Sequence, residues 1–302
     1  METLNFYAAN AFDRAGHRRR ERDWLAQRLE HPETRFVPVW RGQNLVTQTG
    51  EGNPAAVLLT QHALAAAVEE PILLGMQEER AYFAVDLSHH EAPLAAIAVG
   101  GAAEFADLRR VGALLARNEG AILAYARGML HWHGRHRFCG ICGSATRSEE
   151  AGHVRRCVDP ECNTAHFPRT DPAVIMLVID GERALLGRQK VWPKGQHSTL
   201  AGFVEPGESL EQAVAREVHE ETGIVVTDVS YHSSQPWPFP ASIMLGFTAR
   251  AVTAEIVVDP GELENARWFE RSFILAHPDD DEFRLPRRDS IARRLIEDWL
   301  GR

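Results

Sequence analysis

Residues 202–224 of the chain read GFVEPGESLEQAVAREVHEETGI, a glycine-containing loop followed by a segment with the pattern of an amphipathic helix. Ser209 and Gln212 have the spacing of a capping box, and Gly223 suits the position just past a helix end. Aliphatic side chains recur every four residues and would form one buried stripe. These side chains are Leu210, Val214 and Val218. The stretch therefore predicts a helix over about residues 210–222.

Three glutamates of this helix would share one face, because residues three and four apart are neighbours on a helix. They are Glu217, Glu220 and Glu221. Like charges so close raise one another's pKa, and bound Mg²⁺ or Mn²⁺ would relieve the repulsion while substrate phosphate oxygens complete the coordination. Arg216, four residues before Glu220, could orient that carboxylate through an ion pair. The alternative is a solvated acidic face, and the glycine-rich loop before the helix favours the metal site.

The same stretch resembles the Nudix box, G-x5-E-x7-R-E-U-x-E-E-x-G-U with U aliphatic, at every fixed position. The matching residues are Gly202, Glu208, Arg216, Glu217, Val218, Glu220, Glu221, Gly223 and Ile224. The resemblance implies a fold of the α/β class, an α/β/α sandwich. It also implies an enzyme that hydrolyses a nucleoside diphosphate linked to another group. It also implies that Glu217 and Glu221 bind the catalytic Mg²⁺ or Mn²⁺. Glu220 would be a further ligand or support one, and the backbone carbonyl of Ala201 resembles another ligand position.

The implied mechanism follows from charge. Two or more cations would neutralise the pyrophosphate, orient it and lower the pKa of a bound water. A carboxylate such as Glu221 could accept the proton of that water. Glu208 and Arg216 would hold the loop against the helix.

The four cysteines of the chain form a C-x2-C pair and a C-x4-C pair separated by 14 residues. They are Cys139, Cys142, Cys157 and Cys162. Two such pairs can supply a tetrahedral zinc site, and four protein ligands leave no open position for water. The spacing therefore predicts one structural Zn²⁺ per chain. Four unrelated buried cysteines and a redox C-x-x-C motif are the alternatives, and no thioredoxin-like strand and helix follow the motif.

Arginines near the cysteines raise the alternative of a ribbon that binds nucleic acid. They are Arg135, Arg137, Arg147, Arg155 and Arg156. The chain as a whole has a net charge of −9, and phosphate affinity comes mainly from Lys and Arg, so a solvated arginine-rich surface is favoured. No uninterrupted apolar run of about 18 residues is present, so we expect a cytoplasmic protein without a membrane-spanning helix.

Residues 234–242 read SQPWPFPAS, in which alternating prolines exclude a helix and favour a stiff extended chain. Trp237 and Phe239 could simply be core residues, whereas Gln235 and Ser242 could bind an amide, ribose or phosphate. The segment resembles the S-Q-P-W-P-F-P-x-S array of NADH pyrophosphatases within the Nudix family. A cysteine ribbon directly before the Nudix domain belongs to the same subfamily, and the resemblance covers about residues 107–302.

This resemblance implies further site residues. The expected substrate contacts from the array are Gln235, Pro236, Trp237, Pro238, Phe239, Pro240, Ala241 and Ser242. Glu262 resembles another metal ligand, and Phe167 and Phe203 are candidates to stack on an aromatic base. Ala292 occupies a substrate-contacting position, and Arg109 is a further candidate. Two features depart from the pattern, namely the C-x4-C pair and residues 285–289, which lack the expected run of prolines.

Three domains are predicted: an N-terminal α+β domain over 1–125, a zinc ribbon over 126–170 and a catalytic domain over 171–302. Short apolar runs alternate with polar turns in the first domain, and several of them have the length of a strand. These runs are 36–40, 55–59, 72–74, 82–87 and 94–99. Residues 106–130 have helical character. In the third domain, 174–179 should be a buried strand with a hairpin partner at 184–187.

The resemblance implies that the chain cleaves NADH, and NAD⁺, to nicotinamide mononucleotide and AMP, with removal of NAD caps from RNA as a further activity. It also implies a homodimer. A broader hydrolase acting on ADP-ribose or similar compounds is the runner-up. An alternative of another class is a zinc-ribbon nucleic-acid-binding module with an inactive Nudix domain, against which the complete set of carboxylates argues.

Overall fold

The strands and helices of the chain form two units in a computed structural model. The described residues are 4–9, 12–47, 53–64, 70–277 and 279–301. The N-terminal unit comprises Ala9–Thr170 and Pro238–Ala241. The C-terminal unit comprises Met1–Ala8, Asp171–Trp237 and Ser242–Arg302. Each unit has its own hydrophobic core.

Among its described residues, the N-terminal unit has a five-stranded sheet with the order β3-β4-β1-β2-β5. The strands are β1 (Arg35–Trp40), β2 (Gln43–Thr47), β3 (Ile72–Gln77), β4 (Arg80–Asp86) and β5 (Ala103–Ala106). The helices are α1 (Arg22–Glu30), α2 (Leu108–Val111) and α3 (Arg117–Arg135). Buried apolar side chains of the sheet, among them Leu45, Leu73 and Phe83, form the core with Trp24 of α1.

Three of the five apolar runs in this unit lie in strands, and two do not. Residues 55–59 make only isolated bridges, through Ala56 and Leu59, because this stretch crosses single residues of two strands instead of following one. Residues 94–99 begin in a 3-10 helix, Pro93–Ala96, whose first residue is a proline with its fixed φ. Helix α3 continues past residue 125, where the predicted boundary of the first domain falls.

The cysteines lie around a small antiparallel sheet in the same unit. Its strands are β6 (Thr146–Glu149), β7 (Val154–Cys157) and β8 (Ala165–His166). The chain reaches this sheet directly from the end of α3.

The C-terminal unit is built on a mixed sheet with the order β12-β13-β9-β10-β14, and β11 pairs with β9 as well. The strands are β9 (Asp171–Asp180), β10 (Arg183–Arg188), β11 (Leu200–Phe203), β12 (Val226–Trp237), β13 (Ser242–Ala251) and β14 (Asn265–Glu270). The helices are α4 (Leu210–Thr222), α5 (Arg271–Ala276) and α6 (Ile291–Leu300). Strands β9 and β13 are parallel, and the predicted hairpin of β9 and β10 is present.

The central strand β9 buries both of its faces, because successive side chains of a strand point to opposite sides of the sheet. Val174 and Met176 pack on one side with Val214 and Val218 of α4. On the other side, Ile175 and Leu177 pack with side chains of α6. The unit is therefore the expected sandwich of helix, sheet and helix.

Helix α4 has the bounds that its sequence predicts. Ser209 caps it and accepts from the backbone of Gln212, whose side chain in turn accepts from the backbone of Ser209. Gly223 ends the helix in the left-handed region at φ 70°, a conformation that glycine adopts without steric cost. The helix is therefore fixed at both ends, which sets where its glutamates stand. No helix in the described part of the chain is long and apolar enough to cross a membrane.

Candidate active site and zinc centre

Three carboxylates of the C-terminal unit converge on one point. Glu217 and Glu221 come from one face of α4, and Glu262 comes from the loop before β14. One ligand atom from each lies within 4.8 Å of the others. Carboxylate oxygens are the hard ligands that Mg²⁺ and Mn²⁺ prefer, so this donor set fits divalent cations.

The loop that carries Glu262 is held to the end of α4 by backbone hydrogen bonds. The N–H of Asp259 donates to the carbonyl of Glu221 at 3.1 Å, and the N–H of Val257 donates to the carbonyl of Thr222 at 2.9 Å. Residues far apart in the sequence are thereby brought to the same cluster. Spacing along the helix could not have indicated this contact, and Glu262 was expected from resemblance alone.

Arg216 binds the loop before α4 and the helix itself. Its guanidinium donates to both carboxylate oxygens of Glu208, at 2.6 and 2.9 Å, and to the carbonyl of Phe203 at 2.9 Å. It also donates to Glu217 and to Glu220, each at 2.9 Å. The Arg216 bond lowers the pKa of Glu208 to about 2. This network has the loop-holding geometry expected of Glu208 and Arg216.

Glu220 stands apart from the cluster. Its side chain is 58% exposed and is paired with Arg216, and it is not one of the three converging carboxylates. Of its two expected roles, this position favours support of the site over ligation of a cation.

Burial and like charges shift the acidity of the cluster. Desolvation, and then the charges of Glu217 and Glu262, raise the pKa of Glu221 to about 8. Desolvation also raises the pKa of Glu217, against the opposing effect of Arg216. Glu217 and Glu221 both have raised pKa values and lie next to Glu262. Their negative charges together are therefore electrostatically unfavourable unless a cation is bound.

A cavity of about 280 Å³ opens beside the carboxylates. Glu221 and Ala201 lie at its lining, and the backbone N–H of Ala201 donates to the Glu221 carboxylate. Its aromatic and polar lining residues were not predicted from the sequence, Trp237 excepted. Besides Glu221, they are Gln189, Trp192, Gln196, Ser198, Thr199, Trp237, Arg287 and Ser290. Thr199 is only 4% exposed, and its hydroxyl has no hydrogen-bond partner among the described residues.

Among the expected substrate contacts, Trp237 and Ala292 line this cavity. Gln235 does not: it is fully buried, and its amide donates to the backbone carbonyl of Asp289 at 2.7 Å. Its Oε1 has no hydrogen-bond partner among the described residues, and a substrate contact of Gln235 stays a prediction. Ser242 is also buried, and neither it nor Pro236 is among the lining residues.

The turn between β12 and β13 belongs to the other unit. Pro238, Phe239, Pro240 and Ala241 group with the N-terminal unit. There Phe239 is buried, and the guanidinium of Arg109 lies 5.1 Å from its ring and donates to its carbonyl. Arg109 therefore supports this turn from within the N-terminal unit.

The two candidate stacking residues are exposed aromatic side chains. Phe167, in the N-terminal unit, is 66% exposed, and Phe203, in the C-terminal unit, is 60% exposed. Single exposed aromatic side chains are common at protein surfaces, so stacking by Phe167 and Phe203 on a base stays a prediction.

The four cysteines have the geometry of a zinc centre. Sγ of Cys139 lies 3.7 Å from Sγ of Cys162, and Sγ of Cys142 lies 3.4 Å from Sγ of Cys157. These separations match the edges of a tetrahedron with zinc–sulfur bonds of about 2.3 Å. His166 Nε2 lies 3.3 Å from Sγ of Cys139, an outer contact that the cysteine pattern did not indicate. The residues present therefore fit zinc.

Comparisons with known proteins agree with this geometry. A NUDIX domain model matches residues 169–288, an NADH pyrophosphatase zinc ribbon model matches 135–167, and a model of the NADH pyrophosphatase-like rudimentary NUDIX domain matches 33–132. An NAD-capped RNA hydrolase from Macaca fascicularis is 37% identical, over 99% of this chain and 74% of that protein. The chain belongs to the Nudix family of hydrolases.

Its place within the family follows from the other matches. The two further models are both described as belonging to NADH pyrophosphatases, which is the subfamily that the ribbon and the 234–242 array resemble. An NAD-capped RNA hydrolase from Stutzerimonas stutzeri is 46% identical over 60% of this chain and 62% of its own. A solved NUDIX hydrolase from Nitrosomonas europaea is similar over 45% of this chain and 78% of its own, with 25% identity and a weak TM-score of 0.39.

Proposed function

We propose that the chain hydrolyses the diphosphate bond of NADH, and of NAD⁺, to the corresponding nicotinamide mononucleotide and AMP. The observation that carries this proposal is the convergence of Glu217, Glu221 and Glu262 beside a cavity lined by Trp237. The carboxylates suit cations that bind a diphosphate. The cavity next to them has room, aromatic surface and polar groups for a nucleoside beyond that diphosphate.

The protein's part in this reaction is to hold a dianionic diphosphate against an acidic cluster. Glu217, Glu221 and Glu262 are the proposed ligands of Mg²⁺ or Mn²⁺, with the Ala201 carbonyl as a further one. When bound, these cations neutralise the diphosphate and lower the pKa of a coordinated water. Arg216 orients Glu217 from the side of the loop.

The water proton requires an acceptor near the cluster. Glu221 lines the cavity beside the carboxylate cluster, so it is our candidate to accept that proton. The water oxygen then bonds to one phosphorus, the bridging P–O bond breaks, and the other phosphate leaves with its nucleoside. Trp237 and Ala292 would hold the nucleoside that lies in the cavity.

Removal of NAD caps from RNA is a second proposed activity. Relatives that match 99% and 60% of this chain are named NAD-capped RNA hydrolases. The same diphosphate bond would be cleaved, so no second site is needed. A nucleic-acid-binding module with an inactive Nudix domain is disfavoured, because the three carboxylates converge within 4.8 Å of one another.

The remaining features of the proposal concern cofactors and assembly. We propose one structural Zn²⁺ on the four cysteines, a homodimer and a cytoplasmic location. The homodimer is proposed from the family resemblance alone. Light scattering of the purified protein would give its mass directly.

A substrate panel tests the proposed function. NADH, NAD⁺, ADP-ribose and NAD-capped RNA are compared under identical Mg²⁺ or Mn²⁺ concentrations, with Glu221→Gln as the inactive control. We expect NADH to have the highest kcat/KM of the three small substrates. A clear preference for ADP-ribose would instead support the broader diphosphate hydrolase.

A further inference from the structure

The cavity beside the carboxylates has a wall, formed by residues 286–292, that carries an arginine. Arg287 donates from Nε and Nη2 to the two oxygens of Asp289, at 3.0 and 2.7 Å. The side chain of Asp289 is 1% exposed, whereas that of Arg287 is 41% exposed. The ion pair is therefore oriented, with its carboxylate inside the protein and its cation at the cavity.

Asp289 is held from two further directions. The hydroxyl of Tyr7 donates to its carboxylate at 2.7 Å, and the amide of Gln235 donates to its backbone carbonyl at 2.7 Å. Tyr7 also makes an edge contact with Trp237, with ring centroids 6.0 Å apart. The position of Arg287 is thus coupled to the segment that supplies Trp237.

Some hydrogen-bonding groups of the residues that line this cavity have no partner among the described residues. A guanidinium has five N–H donors, and Asp289 engages one on Nε and one on Nη2. No other described residue accepts from Arg287. Thr199, buried on the same cavity, likewise has no partner for its hydroxyl among the described residues. These groups are available to a ligand.

The chemistry of the lining indicates which part of the substrate would enter. The proposed cations hold the diphosphate at Glu221, so the rest of the cavity meets a nucleoside. Trp192 and Trp237 offer surfaces for a flat ring, and Gln189 and Gln196 offer both donors and acceptors. A ring bearing a carboxamide, which is nicotinamide, matches this combination.

We propose that Arg287 is a specificity-determining residue that selects the reduced over the oxidised dinucleotide. It places the cationic end of its ion pair with the buried Asp289 at the cavity, beside the proposed nicotinamide ring, which is neutral in NADH and cationic in NAD⁺. A like charge in the wall disfavours the cationic ring and leaves the neutral ring unaffected. This inference rests on the proposed function, because it requires that both dinucleotides are substrates.

The experiment compares kcat/KM for NADH and NAD⁺ in three variants. Arg287→Met removes the charge from the cavity. Arg288→Met, an exposed neighbour outside the cavity lining, removes the same charge next to it and is the matched control. The double variant Arg287→Met with Asp289→Asn avoids leaving a buried carboxylate unpaired and keeps an oxygen for Tyr7.

We expect Arg287→Met to lower the NADH to NAD⁺ ratio of kcat/KM by about five-fold, the effect of one charge a few ångströms from the ring near water. The double variant removes both members of the ion pair, so it should shift the ratio in the same direction but by less. The change should come mainly from faster turnover of NAD⁺, and Arg288→Met should leave the ratio as it is. An unchanged ratio in folded Arg287→Met, or in the double variant should the single one not fold, would overturn the proposal, as would an equal change in the Arg288 control. Absence of NADH and NAD⁺ hydrolysis in the unaltered protein would instead overturn the proposed function itself.

Discussion

The carboxylate of Glu217 occupies the space that a side chain at Gly202 would need. A Cβ built on Gly202 would lie 1.8 Å from Cδ of Glu217, far inside van der Waals contact. Strand β11 and helix α4 therefore approach at a point where only a glycine fits. Gly202 follows Ala201 directly, so this close approach also sets the distance between Glu217 and the cavity lining.

Gly202→Ala should displace the Glu217 carboxylate and lower kcat/KM by about 100-fold, because a displacement near 1 Å can cost that much. The fold should persist, since the side chain of Glu217 can move more easily than the strand. Steady-state kinetics and a thermal melt check both expectations. Gly134→Ala is the control, because a Cβ at that helical glycine meets nothing within 4 Å. Activity close to that of the control would show that the position of Glu217 matters little.

Glu221→Gln should abolish most turnover, by orders of magnitude, because it removes a proposed metal ligand and proton acceptor. Glu220→Gln is the matched control, since that side chain is 58% exposed and outside the converging cluster. We expect Glu220→Gln to lose much less turnover than Glu221→Gln. Kinetics at saturating Mg²⁺ would distinguish them, and near-normal turnover by the Glu221 variant would contradict the carboxylate–metal mechanism.

The raised pKa of Glu221 predicts a pH-dependent stability in protein without added Mg²⁺ or Mn²⁺. Its value rises from 4.5 to about 8 on folding, so between these limits the folded protein keeps a proton that the unfolded chain has released. Stability must then fall as pH increases through this window. Melting temperatures measured from pH 5 to about 8 should decrease, and the decrease should be smaller in Glu221→Gln. Added Mg²⁺ should stabilise the unaltered protein most at the upper end. A flat profile for both proteins would refute the proposed electrostatics.

Zinc should be present at about one ion per chain and independent of the catalytic cation. Cys139 is 3% exposed within the four-thiol cluster, so Cys139→Ser should lose zinc and destabilise the N-terminal unit. Elemental analysis and a thermal melt are the measurements. Substoichiometric zinc, together with unaltered folding of the variant, would be incompatible with a structural site.

Gln235→Ala should act indirectly, through the wall that Asp289 helps to form. Removing the amide leaves the buried carbonyl of Asp289 without this donor, which costs about 1–3 kcal/mol of stability. Because Trp237 and Arg287 would shift, kcat/KM should fall more for NADH than for ADP-ribose. Chemical denaturation measures the loss of stability, and steady-state kinetics with NADH and ADP-ribose measure the two changes in kcat/KM. Equal kinetic losses for both substrates would mean that Gln235 serves only the fold.

The features of the site that depend only on neighbouring residues could be predicted from the sequence. The capping box at Ser209, the helical spacing of Glu217 and Glu221 and the pairing of the cysteines all follow from neighbouring residues, and the structure has them. The contact of Gln235 with Asp289 joins residues 54 positions apart, so no periodicity could indicate it. The same is true of the Tyr7 hydrogen bond, which links the beginning of the chain to the wall of the cavity.

The central claim is that water cleaves the diphosphate bond of NADH at the cluster of Glu217, Glu221 and Glu262. Mass spectrometry of the products formed from NADH in H₂¹⁸O with Mg²⁺ tests it most directly. The account predicts reduced nicotinamide mononucleotide and AMP, with one labelled oxygen on a phosphate of one product, and no products from Glu221→Gln. Release of nicotinamide with ADP-ribose, or label outside the phosphates, would contradict it.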